Sequence, residues 1–296
     1  MNANSLSPSI ATTTGVLDDD TKARIALSCA GVSGDPTVAV GIDMLGGPVA
    51  FVAAVHDGRD RLATLSPLVR QRIRALASAV RVADALRSMT CGGGRVLTPR
   101  DMHWPSQVSA LGRGAPLVLF AQGDVTTLRL PSVAITGTTA PNTHETHMTI
   151  ELATGLADRR WVIASGMAQG IDQLSLSAAT AMRGRTIIVG AEMLRDTEVV
   201  HDSVRVSELP LTKAVTAREQ HRSRLLLAAI ATKTIVVETG ESSNAFLAAE
   251  AAIAIHRPVG ILAQASMKKP GAERIDPHSR RSMVRIASVT DADRLR

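Results

Sequence analysis

The 296-residue chain has no tyrosine, three phenylalanines (Phe51, Phe120, Phe246) and two tryptophans (Trp104, Trp161). An aromatic core is excluded, so Ala, Val, Leu and Ile must fill the interior, a composition that suits helices packed on a parallel sheet. The only cysteines, Cys29 and Cys91, lie far apart and lack metal-site spacing. That excludes a disulfide scaffold and reads as two free thiols in a reducing compartment. No apolar run is long enough to cross a bilayer; the stretch from Leu225 to Val237 is broken by Lys233. The N-terminus is polar and Thr/Asp-rich, unlike a signal peptide. A cytoplasmic protein without membrane contact is expected. Neither G-x-G-x-x-G, a P-loop, G-x-S-x-G nor H-E-x-x-H occurs, so dinucleotide, ATP, serine-hydrolase and zincin sites have no signature.

What is present is a pattern of short, unalternated apolar runs, as strands buried on both faces show, each followed by a small-residue turn and a helix. The stretch 132–172 carries it best. Val133-Ala134-Ile135 is a strand, Gly137 a tight turn, and Asn142 or Thr143 caps a helix through Leu156. Trp161 to Ala164 is a second strand, and Ser165-Gly166 opens a second turn. A strand–helix–strand unit of this length is a right-handed crossover between parallel strands. Further strands are expected at Arg95–Thr98, Pro116–Ala121, Arg185–Gly190, Val199–Ser207 (short and partly exposed), Thr234–Glu238, Arg257–Leu262 and Ala287–Thr290. Gly184 is expected to end the helix after Asp172 from the C′ position. The fold class is therefore α/β: an extended Rossmann-like, doubly wound, mostly parallel sheet. A small all-helical module precedes it, including one long helix over Leu65–Leu86. The boundaries fall at 1–19 (an aperiodic, disordered tail), 20–90 (the helical module) and 91–296, with the break at Cys91-Gly92-Gly93-Gly94.

The formal net charge is +6. From Leu211 to Arg285 there are 12 Lys and Arg against 6 Asp and Glu, so this segment's surplus equals the whole excess. A local basic surplus is a footprint for an anionic partner, although a solvated basic face gives the same count. Three turns precede helices: Gly137-Thr138-Thr139, Ser165 through Gly170, and Thr239 through Asn244. Helix N-termini offer free N–H groups, so converging turns form an anion-friendly groove. Asp172, Glu208 and Glu238 stand where an acid or base would, but capping or pairing with arginine is the commoner use; no catalytic residue is assigned. His144 and His147 lack partner ligands and read as surface residues, so no metal is expected. Arg222 and Arg224, two apart, cannot share a helix face. One is expected to face the groove and the other to pair internally.

Ser165-Gly166-Met167-Ala168-Gln169-Gly170-Ile171-Asp172 resembles the S-G-x-A-x-G-I-D signature of the DprA/Smf DNA-processing proteins. In order along the chain, Arg95-Val96-Leu97-Thr98-Pro99 with Trp104-Pro105, Val133 to Gly137, Ser207-Glu208-Leu209-Pro210, Arg222-Ser223-Arg224, Val236-Val237-Glu238 and Val289-Thr290-Asp291-Ala292-Asp293 resemble further family segments. The resemblance covers roughly residues 20–296. It implies a Rossmann-like domain that binds single-stranded DNA, forms a homodimer and helps load a RecA-type recombinase in recombination and natural transformation. It implies neither enzymatic activity nor a cofactor. Carried over position by position, the DNA-binding residues are Gly137, Thr138, Thr139, Ser165, Gly166, Gln169, Lys213, Arg218, Arg222, Arg224, Ser243 and Asn244. The family's Gly-Ser-Arg turn reads Gly137-Thr138-Thr139 here, Ser223 replaces an Asn, and Glu219 stands where an aromatic is common. Lys213, Arg218, Lys268 and Lys269 are the expected substitutes for the missing charge. The competing reading is a nucleotide-binding sensor or a nucleoside-phosphate hydrolase of similar topology, whose P-G-G-x-G-T turn is missing.

Overall fold

The computed structural model describes residues 17–58, 64–91, 93–191, 202–210, 215–238, 244–262 and 283–295. The chain opens with helices α1 (Asp19–Cys29), α2 (Pro36–Met44), α3 (Pro48–His56), α4 (Pro67–Leu76) and α5 (Ala79–Cys91). Asp18, Asp35 and Ser66 cap α1, α2 and α4, and Pro opens α2, α3 and α4 at the position where its missing N–H costs nothing. The single long helix expected over Leu65–Leu86 is two. The chain turns at Ala77, whose ψ of 81° leaves the helical region, and this lets Val69 and Ile73 of α4 and Val82 and Ala85 of α5 enter one core. The apolar helices α2 and α3 meet at 100°, and among the described residues no single helix is long and apolar enough to cross a membrane.

Among the described residues nine strands form one sheet: β1 (Gly94–Leu97), β2 (Leu119–Gly123), β3 (Ser132–Gly137), β4 (Val162–Ser165), β5 (Thr186–Val189), β6 (Ser203–Ser207), β7 (Lys233–Val237), β8 (Val259–Leu262) and β9 (Val284–Ile286). Their order is β1-β2-β6-β5-β4-β3-β7-β8-β9. β2 runs antiparallel to both neighbours and the other pairs are parallel. Helices α6 (Thr143–Asp158) and α7 (Ile171–Ala181) pack against Val133, Ile135, Ile163, Ile235 and Val237. Helices α8 (Ala217–Ile230) and α9 (Asn244–Ala254) cover the other face, on Ala134, Ala164, Val204 and Val236. The alternation of β2 joins the helical module to the sheet: Phe120 enters the module's core, while Leu119 and Ala121 face the sheet core beneath α8.

β6 departs from expectation. Residues 199–201 lie outside the described residues, and Ser203–Ser207 is buried throughout, Arg205 included, because β2 covers the edge that would otherwise be open. The last strand is Val284–Ile286 rather than Ala287–Thr290: Ser288 caps a short helix, α10 (Val289–Arg294), and draws that stretch out of the sheet. Gly184 is not the C′ residue. Arg183 takes the left-handed conformation at φ 55° and the Gly184 N–H closes the turn on the Ala179 carbonyl. Arg160 and His256 do the same after α6 and α9. At Arg160 and Arg183 a cation at the negative end of a helix offsets part of a conformational cost of about 1–2 kcal/mol.

At the N-terminal end of the strands Lys233 is buried. Its Nζ donates to the carbonyls of Ala292 (3.1 Å) and Asp293 (2.8 Å) and lies 4.1 Å from the Trp161 ring centroid. The Trp161 indole N–H donates to Asp293 at 2.7 Å. This knot ties α10 to the sheet at the end opposite the turns.

Candidate functional site

From β3 the chain winds outward through β4, β5 and β6, then returns to place β7 on the other side of β3. The strand order thus reverses between β3 and β7, and the crevice beyond their carboxyl ends is where such sheets take ligands. The turn after β3 and the turn after β4 meet there. The Ile171 N–H donates to the Thr138 carbonyl at 3.1 Å, and the Thr138 N–H donates to the Val237 carbonyl at 3.3 Å. Gly170 has a φ of 79°, and a Cβ on it would run into the backbone of Thr138 and Thr139. A Cβ on Gly166 would occupy the space of the Asp172 carboxylate. Both glycines of the motif are therefore set by close approach within the site.

Asp172 organises the turn from beneath. Its carboxylate accepts from the Thr136 hydroxyl at 2.7 Å and from the Ala168 N–H. The Ser165 hydroxyl, which donates to the Ile135 carbonyl at 2.5 Å, also contacts it. Burial pushes the Asp172 carboxyl above the usual carboxylate range, against the pull of these bonds and of the nearby Arg224 guanidinium. The folded state therefore holds this proton more tightly than the unfolded chain. The stability it contributes is fully present below the unfolded value, about 3.9, and is lost as pH rises toward the elevated folded value. Asp172→Asn removes that dependence. In urea unfolding, the stability of the variant relative to wild type is expected to rise with pH from about 4 upward. A difference that stays constant with pH would assign Asp172 an ordinary ionisation.

The helix N-termini are not equivalent. At α6 the Asn142 side chain accepts from the Glu145 N–H (3.0 Å), and the Glu145 carboxylate accepts from the Asn142 N–H (2.9 Å). At α8 the Glu219 carboxylate accepts from both the N–H of Thr216 (2.7 Å) and its hydroxyl. A capping carboxylate occupies each of these ends, so an incoming phosphate would meet negative charge there. Of the three turns expected to hold anions, the one before α6 is closed for this reason. The turn after β4 differs: Met167, Ala168 and Gln169 are exposed, Gly166 and Gly170 half-buried, and α7 has no side-chain cap.

On α8 the two arginines separate as their spacing requires. Arg222 turns inward. Its Nη2 and Nε donate to Glu208 at 2.7 and 3.2 Å, Nη2 also donates to the Gly114 carbonyl at 3.0 Å, and Nη1 reaches the Gly34 carbonyl at 3.5 Å. Burial pushes the Glu208 carboxyl up, and Arg222 opposes it. Arg224 is half-buried on the side of Asp172. Arg218 is exposed, 3.9 Å from Asp35 of the helical module.

A family model described as DNA recombination-mediator protein A matches residues 95–278, more than half of the chain. The chain belongs to this family. The putative DNA processing protein DprA of Mycobacterium tuberculosis (strain ATCC 25618 / H37Rv) is 33% identical over 205 residues, covering 60% of this chain and 52% of that protein. The DNA processing protein DprA of Bacillus subtilis (strain 168) is 31% identical over 156 residues, 49% of this chain and 52% of that protein. The chain spans about half the length of these curated relatives. The crystal structure of DprA from Streptococcus pneumoniae shares the fold with a TM-score of 0.74 at 19% identity, covering 95% of this chain and 99% of that one. A second structure, reported for the single-stranded DNA binding mode of DNA processing protein A from Helicobacter pylori, superposes with a TM-score of 0.55 at 20% identity over 67% of this chain and 94% of that one.

Within this DNA recombination-mediator fold the sequence-derived residues divide. Thr139 and Gln169 are exposed, and Gly166 and Arg224 half-buried, near the crevice, whereas Arg218 is exposed beside Asp35 of the helical module. Thr138, Ser165 and Arg222 serve the interior bonds given above, and Gly137 sits half-buried beneath them. Lys213, Ser243, Lys268 and Lys269 lie outside the described residues, as does the turn 239–243; Asn244 opens α9, and its side chain is outside the description. Glu238 is buried at the end of β7. His144 and His147 are exposed, with His147 4.0 Å from Glu151. Two residues went unnoticed in the sequence. Met167 is an exposed apolar side chain at the tip of the motif turn. His221 is exposed three residues from both Arg218 and Arg224. The three-residue spacing was the available signal for His221; Met167 had none, because a motif match does not say which position points out.

Proposed function

We propose that this chain binds single-stranded DNA across the crevice between β3 and β7 and acts as a recombination mediator, presenting the strand to a RecA-type recombinase as a homodimer. The observation that carries the reading is the turn after β4. Its exposed residues Met167, Ala168 and Gln169 are braced from below by Asp172 and flanked by Arg224. N–H groups and a guanidinium at a strand-order reversal suit phosphate oxygens, which position a strand without reading its sequence. The family's description and the printed subject of the Helicobacter pylori structure support the same partner. A binding role rather than an enzymatic one is favoured because Asp172 and Glu208 are taken up by internal partners.

Oligothymidine is expected to bind more tightly than duplex DNA, with affinity that falls steeply as salt rises. Arg224→Ala should weaken binding several-fold without lowering the melting temperature, whereas Gln169→Glu should weaken binding at low salt and make what remains less sensitive to salt. Fluorescence anisotropy at two salt concentrations reads all three. Equal affinity for single strands and duplex, or none for either, defeats the proposal.

A further inference from the structure

We infer that Arg205 of β6 anchors a site for a compact dissolved oxyanion, a phosphate or a carboxylate, on the face of the sheet between α7 and the helical module. Side chains alternate along a strand. Val204 and Val206 enter the core beneath α8, so Ser203, Arg205 and Ser207 point to the opposite face. The register sets Gln122 of β2 on one side of Arg205 and Ile188 of β5 on the other. It also sets Phe120 beside Ser207 and Thr186 beside Ser203. Phe120 belongs to the core of the helical module, and α7 packs on β4 and β5. Arg205 therefore lies between these two bodies, in a strip of hydroxyl and amide side chains. The other face of the same three strands carries only Val, Leu, Ile and Ala into the core.

Arg205 is 4% exposed, and its Nε and Nη1 are enclosed without a hydrogen-bond partner. The hydroxyls around it are engaged elsewhere: Thr186 donates to Ser203 at 2.7 Å, and Ser207 accepts the Leu209 N–H at 3.0 Å. Among the described residues no carboxylate acts on the guanidinium; burial alone pulls its pKa below the usual value. The buried Arg222 shows the contrast, with Glu208 and two carbonyls around it. An enclosed donor without an acceptor bears its full desolvation cost, and a buried charge is ordinarily paired. An oxyanion supplies both the acceptor oxygens and the opposite charge, and arginine's planar fork matches carboxylate and phosphate. Enclosure sets the size of the ligand. A DNA strand or a protein surface carries its charges on a bulky chain that cannot reach a side chain so nearly covered, whereas a free oxyanion can.

This site is independent of the crevice and of its reading as a DNA path. Melting temperatures of the full chain are measured in sodium chloride, sodium phosphate and sodium acetate at equal ionic strength. Wild type is expected to melt several degrees higher in phosphate or acetate than in chloride, with a dependence on the anion that saturates. The salt that acts tells phosphate from carboxylate. Arg205→Met should lose the saturating response, and comparison with it subtracts the general effect of these salts on burial. In chloride it should melt at or above wild type, because an unpaired buried charge is removed. Arg205→Lys keeps the charge without the fork and should respond more weakly; it carries the test if the Met variant does not fold. Arg224→Ala should respond as wild type does. A wild type with no saturating response, or an Arg205→Met protein with the same response, overturns the inference. So does an Arg205→Met protein that melts well below wild type in chloride, since the charge would then already be balanced. Oligothymidine affinity should be unchanged in Arg205→Met. Its loss in a protein of normal stability would place the guanidinium on the DNA path and defeat the small-anion assignment.

Discussion

Glu208→Ala is expected to destabilise the protein by about 3–5 kcal/mol, the cost of leaving a buried charge without its partner. Glu208 and Arg222 have only 7% and 13% of their side chains exposed. Three segments converge on Arg222: the end of β6 through Glu208, the helical module through Gly34, and the stretch before β2 through Gly114. The Ser28 hydroxyl of α1 adds a bond to the Glu208 carbonyl, and the Leu117 N–H donates to Ser33 at 3.2 Å. Removing the carboxylate therefore weakens the seat of the helical module on the sheet as well as the pair itself. The double variant Glu208→Leu, Arg222→Met should recover much of the loss, since an apolar pair of similar volume avoids desolvating two charges. Urea unfolding of wild type, Glu208→Leu, Arg222→Met and the double variant reads the coupling. Simple additivity of the two single substitutions would show that the pair does not act as a unit.

Gly170→Val is expected to cost about 2–5 kcal/mol. About 1–2 comes from forcing a branched residue into the left-handed conformation and about 1–3 from overpacking. The atoms a side chain would meet belong to the backbone of Thr138 and Thr139, which cannot rotate away. The turns after β3 and β4 would be pushed apart, so single-strand affinity should fall together with stability. Gln169→Ala, one residue earlier and exposed, should stay within about 0.5 kcal/mol of wild type. Thermal melts and anisotropy on the same samples separate the two effects. A Gly170→Val protein of normal stability would mean that the turns can part without cost.

The crossover from β3 to β4 was legible because its signals are local. An unalternated Val133-Ala134-Ile135 run, a glycine turn and a helix of the right length leave few topologies. The inward and outward split of Arg222 and Arg224 was likewise readable, since residues two apart on a helix diverge. Sequence pattern failed where long-range packing decides. Leu65–Leu86 has one helical periodicity, yet a bend at Ala77 brings two helices into one core. Residues 203–207 looked half-exposed because nothing local announces that β2, some eighty positions earlier, covers that edge.

For the candidate site, the chain's own order of residues determined the fold class, the turn after β4 and the motif's glycines, because strand periodicity and tight-turn chemistry act over a few neighbours. Tertiary structure alone decided what those residues do. It set Asp172 beneath its turn through Thr136, thirty-six positions away, and turned Arg222 into the anchor of the helical module. It also closed one of the three expected anion sites, the turn before α6, with Glu145. Hydrogen-bond partners and buried charges are settled by which surfaces meet in space, and sequence spacing carries no measure of that.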